Sequence, residues 1–182
     1  MFITEVTASF FVIMNIMDNR EFFARSKNGI NVTYNPVHSH ASTHFADTPQ
    51  IIPYVKQILE NTAITGENME FDIDTGVILG MSDLVETDEN DDIVYAIRKN
   101  RDRHMRFTKS QKPRPSSMIA ISLKRLDDAT YDLFSAWLGP QTPPIPNSPL
   151  ANKESRPFWA EHALVWGNQE VQLDTETVVC PW

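Results

Sequence analysis

A chain of 182 residues, 22% charged and 41% apolar, has the size of one ordinary globular domain at roughly 100–200 residues per domain, which excludes a multidomain machine but not a small enzyme. Its 16 Lys plus Arg against 24 Asp plus Glu give a net charge of −8, so the chain as a whole repels nucleic acid and any polyanion contact must be local. A lone cysteine, Cys180, excludes an intrachain disulfide and an all-cysteine metal cluster and fits a reducing compartment.

In chain order, Ala8 to Met17 is the most apolar stretch near the start. No cationic run precedes it and it falls short of the roughly 20 residues that span a bilayer, so it reads as core, with a cytoplasmic location and no membrane contact expected. Residues 2–34 then predict a strand or short helix, a turn at Asn28-Gly29 and an extended piece over Ile30–Tyr34. The polar segment 35–48, with its three histidines, reads as a loop. Ile51, Ile52, Val55, Ile58 and Leu59 share one face at helical spacing and predict a helix over 50–61, with Pro53 tolerated only in its first turn.

Alternation of Met69, Phe71 and Ile73 with Glu70, Asp72 and Asp74 predicts a strand, and Val77–Met81 a second. Further strands are expected over 93–97 and 103–108, and the two clearest over Met118–Leu123 and Tyr131–Leu138, joined through Asp127-Asp128 as a hairpin. Asp74-Thr75-Gly76 has the letters of an aspartic-protease motif, but lacks a second copy and an apolar strand before it, so it reads as a turn. Five prolines in the 11 residues 139–149 forbid helix and sheet and predict a linker or surface loop. The aromatic density of Arg156–Trp166 predicts a segment docked on the core.

The expectation is therefore a single α+β domain over 1–182. An N-terminal helix and strand part (1–66) packs on an antiparallel meander sheet of about four strands (67–138), followed by the proline-rich loop and a Trp-rich C-terminal segment (139–182).

Three polar features bear on function. Eight of the 16 basic residues lie between Arg98 and Arg114, with Tyr95, His104 and Phe107 interleaved, directly after the acidic run Asp83, Glu86, Asp88, Glu89, Asp91, Asp92. This strip either contacts an RNA backbone or is neutralised by neighbouring acids. His38, His40 and His44 form the second feature. With 38–40 extended, His38 and His40 point the same way and His44 closes a three-nitrogen zinc site; alternatively two imidazoles serve as base and acid in metal-free RNA cleavage, or the loop is merely rich in histidine. The third is an absence: with six glycines and no phosphate-cradling loop, a nucleotide cofactor is not expected.

The run Asp92–Leu138, and above all the hairpin MIAISLKRLDDATYDLFSAWLG, resembles the barnase–EndoU–colicin–RelE-like ribonuclease superfamily, particularly its toxin and phage-borne members. That resemblance implies a helical part carrying a histidine, ahead of a four-stranded antiparallel sheet that presents Arg or Lys, Ser or Thr, and a last-strand polar or aromatic residue to the scissile phosphate. It puts His40 or His44 before the helix, Arg101 and Arg103 after the first sheet strand, Ser116 or Ser117 entering the third, and Tyr131 or Ser135 on the last. His162 is either a second imidazole or a helix-surface residue. Independently of the resemblance, cleavage at phosphorus needs a base, an acid and a cation, which His, His or Tyr, and Arg supply without metal or cofactor.

The expected function is thus metal-independent RNA cleavage or RNA binding by His40, His44, Arg101, Arg103, Ser117 and Tyr131. The alternatives are a non-catalytic domain that binds a protein through its proline-rich loop, and a zinc hydrolase centred on His38, His40 and His44.

Overall fold

The computed structural model describes residues 19–37 and 39–182; the apolar stretch Ala8–Met17 and His38 lie outside them. Two compact units emerge, each discontinuous in sequence: the first comprises Met1–Thr75 and Met118–Leu138, the second Gly76–Ser117 and Gly139–Trp182. Strands and helices are numbered along the whole chain.

In the first unit, β1 (Glu21–Arg25) and β2 (Asn31–Tyr34) form a hairpin. Its turn needs a residue with positive φ, which Gly29 supplies at +85°. Asn28 beside it spans to a distant backbone: its Nδ2 donates to the Ile64 carbonyl at 2.8 Å and its Oδ1 accepts from the Ile64 N–H at 3.0 Å.

The segment expected to be a loop over 35–48 is instead largely helical, as α1 (His40–Asp47). Ser39 caps it by accepting from the Ser42 N–H at 3.0 Å, and Ala41 and Phe45, four residues apart, bury its inner face. After a 3₁₀ turn over Pro49–Ile51 comes α2 (Ile52–Asn61), with Pro53 in its first turn as predicted. Ile51, Val55 and Leu59, spaced by four, are fully buried.

The predicted strand over 69–73 is β3 (Asn68–Asp74), an edge strand with alternating exposure. The predicted hairpin is β9 (Met118–Arg125) and β10 (Thr130–Leu138), closed by Asp127, whose Oδ1 accepts from the Ala129 N–H at 2.8 Å. The sheet order is β1-β2-β10-β9-β3. Its β2–β10 contact is parallel, whereas β3–β9 is antiparallel. Ile119, Ile121, Leu123 and Leu133 are at most 1% exposed and form its core.

Tyr131, 4% exposed, donates its hydroxyl to the Gly66 carbonyl, tying β10 to the turn ahead of β3. Tyr131→Phe keeps the ring and removes only this hydrogen bond, so a loss of about 1 kcal/mol is expected in the urea-unfolding free energy.

The second unit holds β4 (Gly80–Ser82), β5 (Leu84–Glu86), β6 (Ile93–Arg98), β7 (His104–Thr108), β8 (Arg114–Ser116), α3 (Ser155–Glu161), β11 (His162–Val165) and β12 (Val171–Thr177). One sheet runs β12-β6-β7-β11-β5, with β11 parallel to β7, and a ribbon joins β4 to β8. Phe107 and Ala96, both fully buried, and Leu164 form a core cluster that Trp166 closes edge-on at 5.4 Å. The segment expected to dock does so: Trp159 is 3% exposed, and its indole N–H donates to the Pro143 carbonyl at 3.0 Å, holding the proline-rich loop.

The expected architecture is therefore corrected in one respect. Among the described residues strand exceeds helix by 39% to 17%, and three sheets of mixed orientation replace a helical N-terminal part on a single meander. The reason lies in the pairing partners. β6–β7 and β9–β10, adjacent in sequence, join different sheets, because β9 and β10 pair with β3 and β2 and the 93–108 strands pair with β12 and β11. The coarser description, helices with antiparallel-rich sheets, holds. Among the described residues no helix is long and apolar enough to cross a membrane.

Candidate functional site

Helical rather than extended backbone at 40–47 decides which histidines meet. Residues four apart share a helix face, so His40 and His44 come together, with ring centroids 4.8 Å apart and planes at 87°. α1 packs against β10, and that strand supplies the other walls of the cluster. His40 Nδ1 lies 3.1 Å from the Ser135 hydroxyl, and His44 lies 6.0 Å from the Trp137 ring. Ser135 is only 3% exposed, so it orients the imidazole and is no nucleophile for an external substrate. Its hydroxyl accepts from Nδ1–H or donates to a bare Nδ1, so it serves the ring in either protonation state.

A register shift in β10 shapes the rim. Leu133 pairs with Leu123 and Ser135 with Ser122, which leaves Phe134 as the extra residue of a β-bulge. Phe134 points outward, as the alternation of β10 through Tyr131, Asp132 and Leu133 requires: it is 40% exposed between buried Leu133 and Ser135, with its ring 6.1 Å from that of His40 and nearly parallel to it. The ammonium of Lys124, on β9, lies 3.6 Å from the centroid of the Phe134 ring. Asp132, the cross-strand partner of Lys124, is ion-paired with Arg20, so the acid nearest in register is already matched. Two imidazoles, a hydroxyl, an exposed aromatic face and a cation thus gather within one unit.

The other expected residues lie elsewhere. Tyr131 is in the core with its hydroxyl committed to Gly66. Arg101, Arg103 and Ser117 belong to the second unit. Arg101 and Arg103 follow a turn at Asn100, whose φ of +61° asparagine tolerates; Arg101 is exposed and Arg103 pairs with its neighbour Asp102 at 3.0 Å. Ser117 is half-buried between β8 and β9. His162 is the first residue of β11 and not a helix-surface residue; its ring stacks on Phe158 at 4.1 Å and its Nδ1–H donates to the Phe158 carbonyl at 3.0 Å. His38, needed for the zinc alternative, is outside the described residues, and among those described no three His, Cys, Asp or Glu side chains converge as a metal-binding set.

The basic strip is extensively engaged within the second unit. Lys99 pairs with Glu170 at 2.6 Å and Lys109 pairs with Glu176 while lying over Trp166. Arg106 is buried and donates to Thr87 Oγ1 at 2.6 Å and the His162 carbonyl at 3.0 Å. Burial, with Arg101 nearby, lowers the pKa of the Arg98 guanidinium. Acids from the C-terminal part thus neutralise two of these cations, Lys99 and Lys109, where the sequence pointed only to the run Asp83–Asp92.

Asp91 of that run ties the strip's far end. Its carboxylate accepts from Ser110 Oγ at 2.6 Å, Gln111 Nε2 at 2.9 Å and the Asp88 N–H at 2.9 Å. The Ser110 hydroxyl first, then the Asp88 amide, hold its pKa below the ordinary 3.8. A depressed carboxylate pKa contributes stability that is present above the ordinary value and lost as pH falls through the folded one. Asp91→Asn is therefore expected to flatten the acid side of the stability profile, read as the change in urea midpoint between about pH 6 and about pH 3.

Comparison with protein-family models, curated proteins and solved structures gave no match. The site reading consequently rests on the side chains themselves. Sequence reasoning found the histidine pair and Ser135 but missed Phe134, Lys124 and Trp137. The i, i+4 spacing of the histidines was the available signal, conditional on helix; nothing in the sequence marked the bulge.

Proposed function

We propose that the first unit carries a metal-independent RNA-cleaving site built on His40 and His44. The observation that carries the reading is the contact of these two imidazoles, one held by Ser135, beside an exposed aromatic ring and a lysine. One imidazole removes the proton of a ribose 2′-hydroxyl as its oxygen bonds to the adjacent phosphorus. The bond from phosphorus to the 5′-oxygen breaks, and the other imidazole gives that oxygen its proton. The products are a 2′,3′-cyclic phosphate and a 5′-hydroxyl, and the ammonium of Lys124 offsets charge developing on the non-bridging oxygens.

The two rings are in contact at 4.8 Å, so the roles of base and acid belong to the pair. The reading depends on this cluster and not on the superfamily's single sheet. Incubation of single-stranded RNA with the full chain in excess chelator tests it: 5′-hydroxyl and 2′,3′-cyclic phosphate ends are expected, and intact RNA, or ends of the opposite polarity, overturns it.

A further inference from the structure

Resting on the ribonuclease reading of this cluster, we propose that Phe134 is the stacking platform for one unpaired nucleobase and that Lys124 moves from the ring to the neighbouring phosphate when the base arrives. Phe134 follows the alternation of β10, outward like Asp132 and flanked by buried Leu133 and Ser135, and so presents a large apolar ring, 40% exposed, to solvent. Exposure of that apolar face has a cost that stacking of a base removes. Lys124, itself exposed, covers the ring at 3.6 Å by a contact that is weak in water, so a nucleobase with its larger π-face displaces it. The displaced ammonium remains on a flexible stem beside the base, where the closest anion is the nucleotide's own phosphate.

The ring is 6.1 Å from His40, which puts the stacked nucleotide's sugar and phosphate within reach of the imidazoles. In a duplex both faces of a base are already stacked, so only unpaired RNA can use the platform. The substrate class is therefore single-stranded RNA, selected by a base face and not by base-edge hydrogen bonds, with little sequence preference.

The test uses a short 2′-O-methyl RNA, which has no 2′-hydroxyl to react, as single strand and as duplex, with binding to the full chain followed by fluorescence anisotropy over a salt series. Wild type is expected to prefer the single strand. Phe134→Leu lowers single-strand affinity by about tenfold with duplex affinity unchanged, and Phe134→Tyr restores it. Lys124→Met keeps the preference but reduces the slope of log affinity against log salt by about 0.7, the contribution of one phosphate contact in a single strand.

An unchanged ratio of single-strand to duplex affinity in Phe134→Leu overturns the platform, as does a wild type that does not discriminate. Cleavage that persists alongside such a result leaves the ribonuclease reading standing without the platform. A Phe134-dependent preference in a chain that never cleaves RNA keeps the platform and removes the ribonuclease reading.

Discussion

His40→Ala and His44→Ala each lower the rate of RNA cleavage at least about a hundredfold, the low end of what a positioned acid or base contributes. The double variant is expected to be little worse than either single one, because groups that act as a unit are not additive. The fold survives these changes. His40 is exposed at the start of α1 and His44 half-buried on the same face, while the buried side of the helix is carried by Ala41 and Phe45; alanine is also the best helix former. A loss of cleavage with an unchanged urea midpoint separates a chemical role from a structural one. Ser135→Ala, which removes only the group that orients His40, should reduce the maximal rate more than it raises KM, as for a positioning residue.

The largest expected effect on stability comes from Phe107→Ala in the second unit, a loss of about 3–5 kcal/mol. Phe107 is fully buried, packs with Ala96 and Leu164, and receives the edge of Trp166 at a right angle. Truncation removes the transfer energy of the ring and the aromatic pair together, and β7, held in mid-sheet between β6 and β11, has little freedom to collapse into the cavity. Tryptophan fluorescence during urea unfolding reads it, since Trp159, Trp166 and Trp182 all belong to this unit. Leu173→Ala in the same unit, at a residue 73% exposed, is the control and should shift stability by no more than about 0.5 kcal/mol.

Local pattern carried the elements that depend on local physics. The alternation through Met118–Leu138, the Asp127 turn, the stripe of Ile51, Val55 and Leu59 and the tolerance of Pro53 in a first turn were all legible because each involves residues a few positions apart. The helix α1 was not. His, Ser and Thr are weak helix formers, and only Ala41 and Phe45 face inward, so its apolar stripe is two residues wide; tertiary packing on β10 and the Ser39 cap decide its conformation.

That one misreading redirected the chemistry. An extended 38–40 aligns His38 with His40 and points to a metal, whereas a helix aligns His40 with His44 on β10. Sheet membership was illegible for a different reason. The parallel contacts of β2 with β10 and β7 with β11 join strands far apart in sequence, and a period-two pattern says which face is buried but not which strand lies alongside. The same limit hid the meeting of Lys124 on β9 with Phe134 on β10, diagonal neighbours beside the Asp132–Lys124 pair.

The pH dependence of cleavage tests the central claim most directly, measured on single-stranded RNA in excess chelator for wild type and for each histidine variant. An acid–base pair gives a bell-shaped profile whose two limbs belong to His40 and His44 together, and each single variant should lose one limb along with most of its rate. A wild type that leaves RNA intact across the pH range, or a His40→Ala, His44→Ala double variant that retains the full bell, would contradict the assignment of this cluster as the cleaving site.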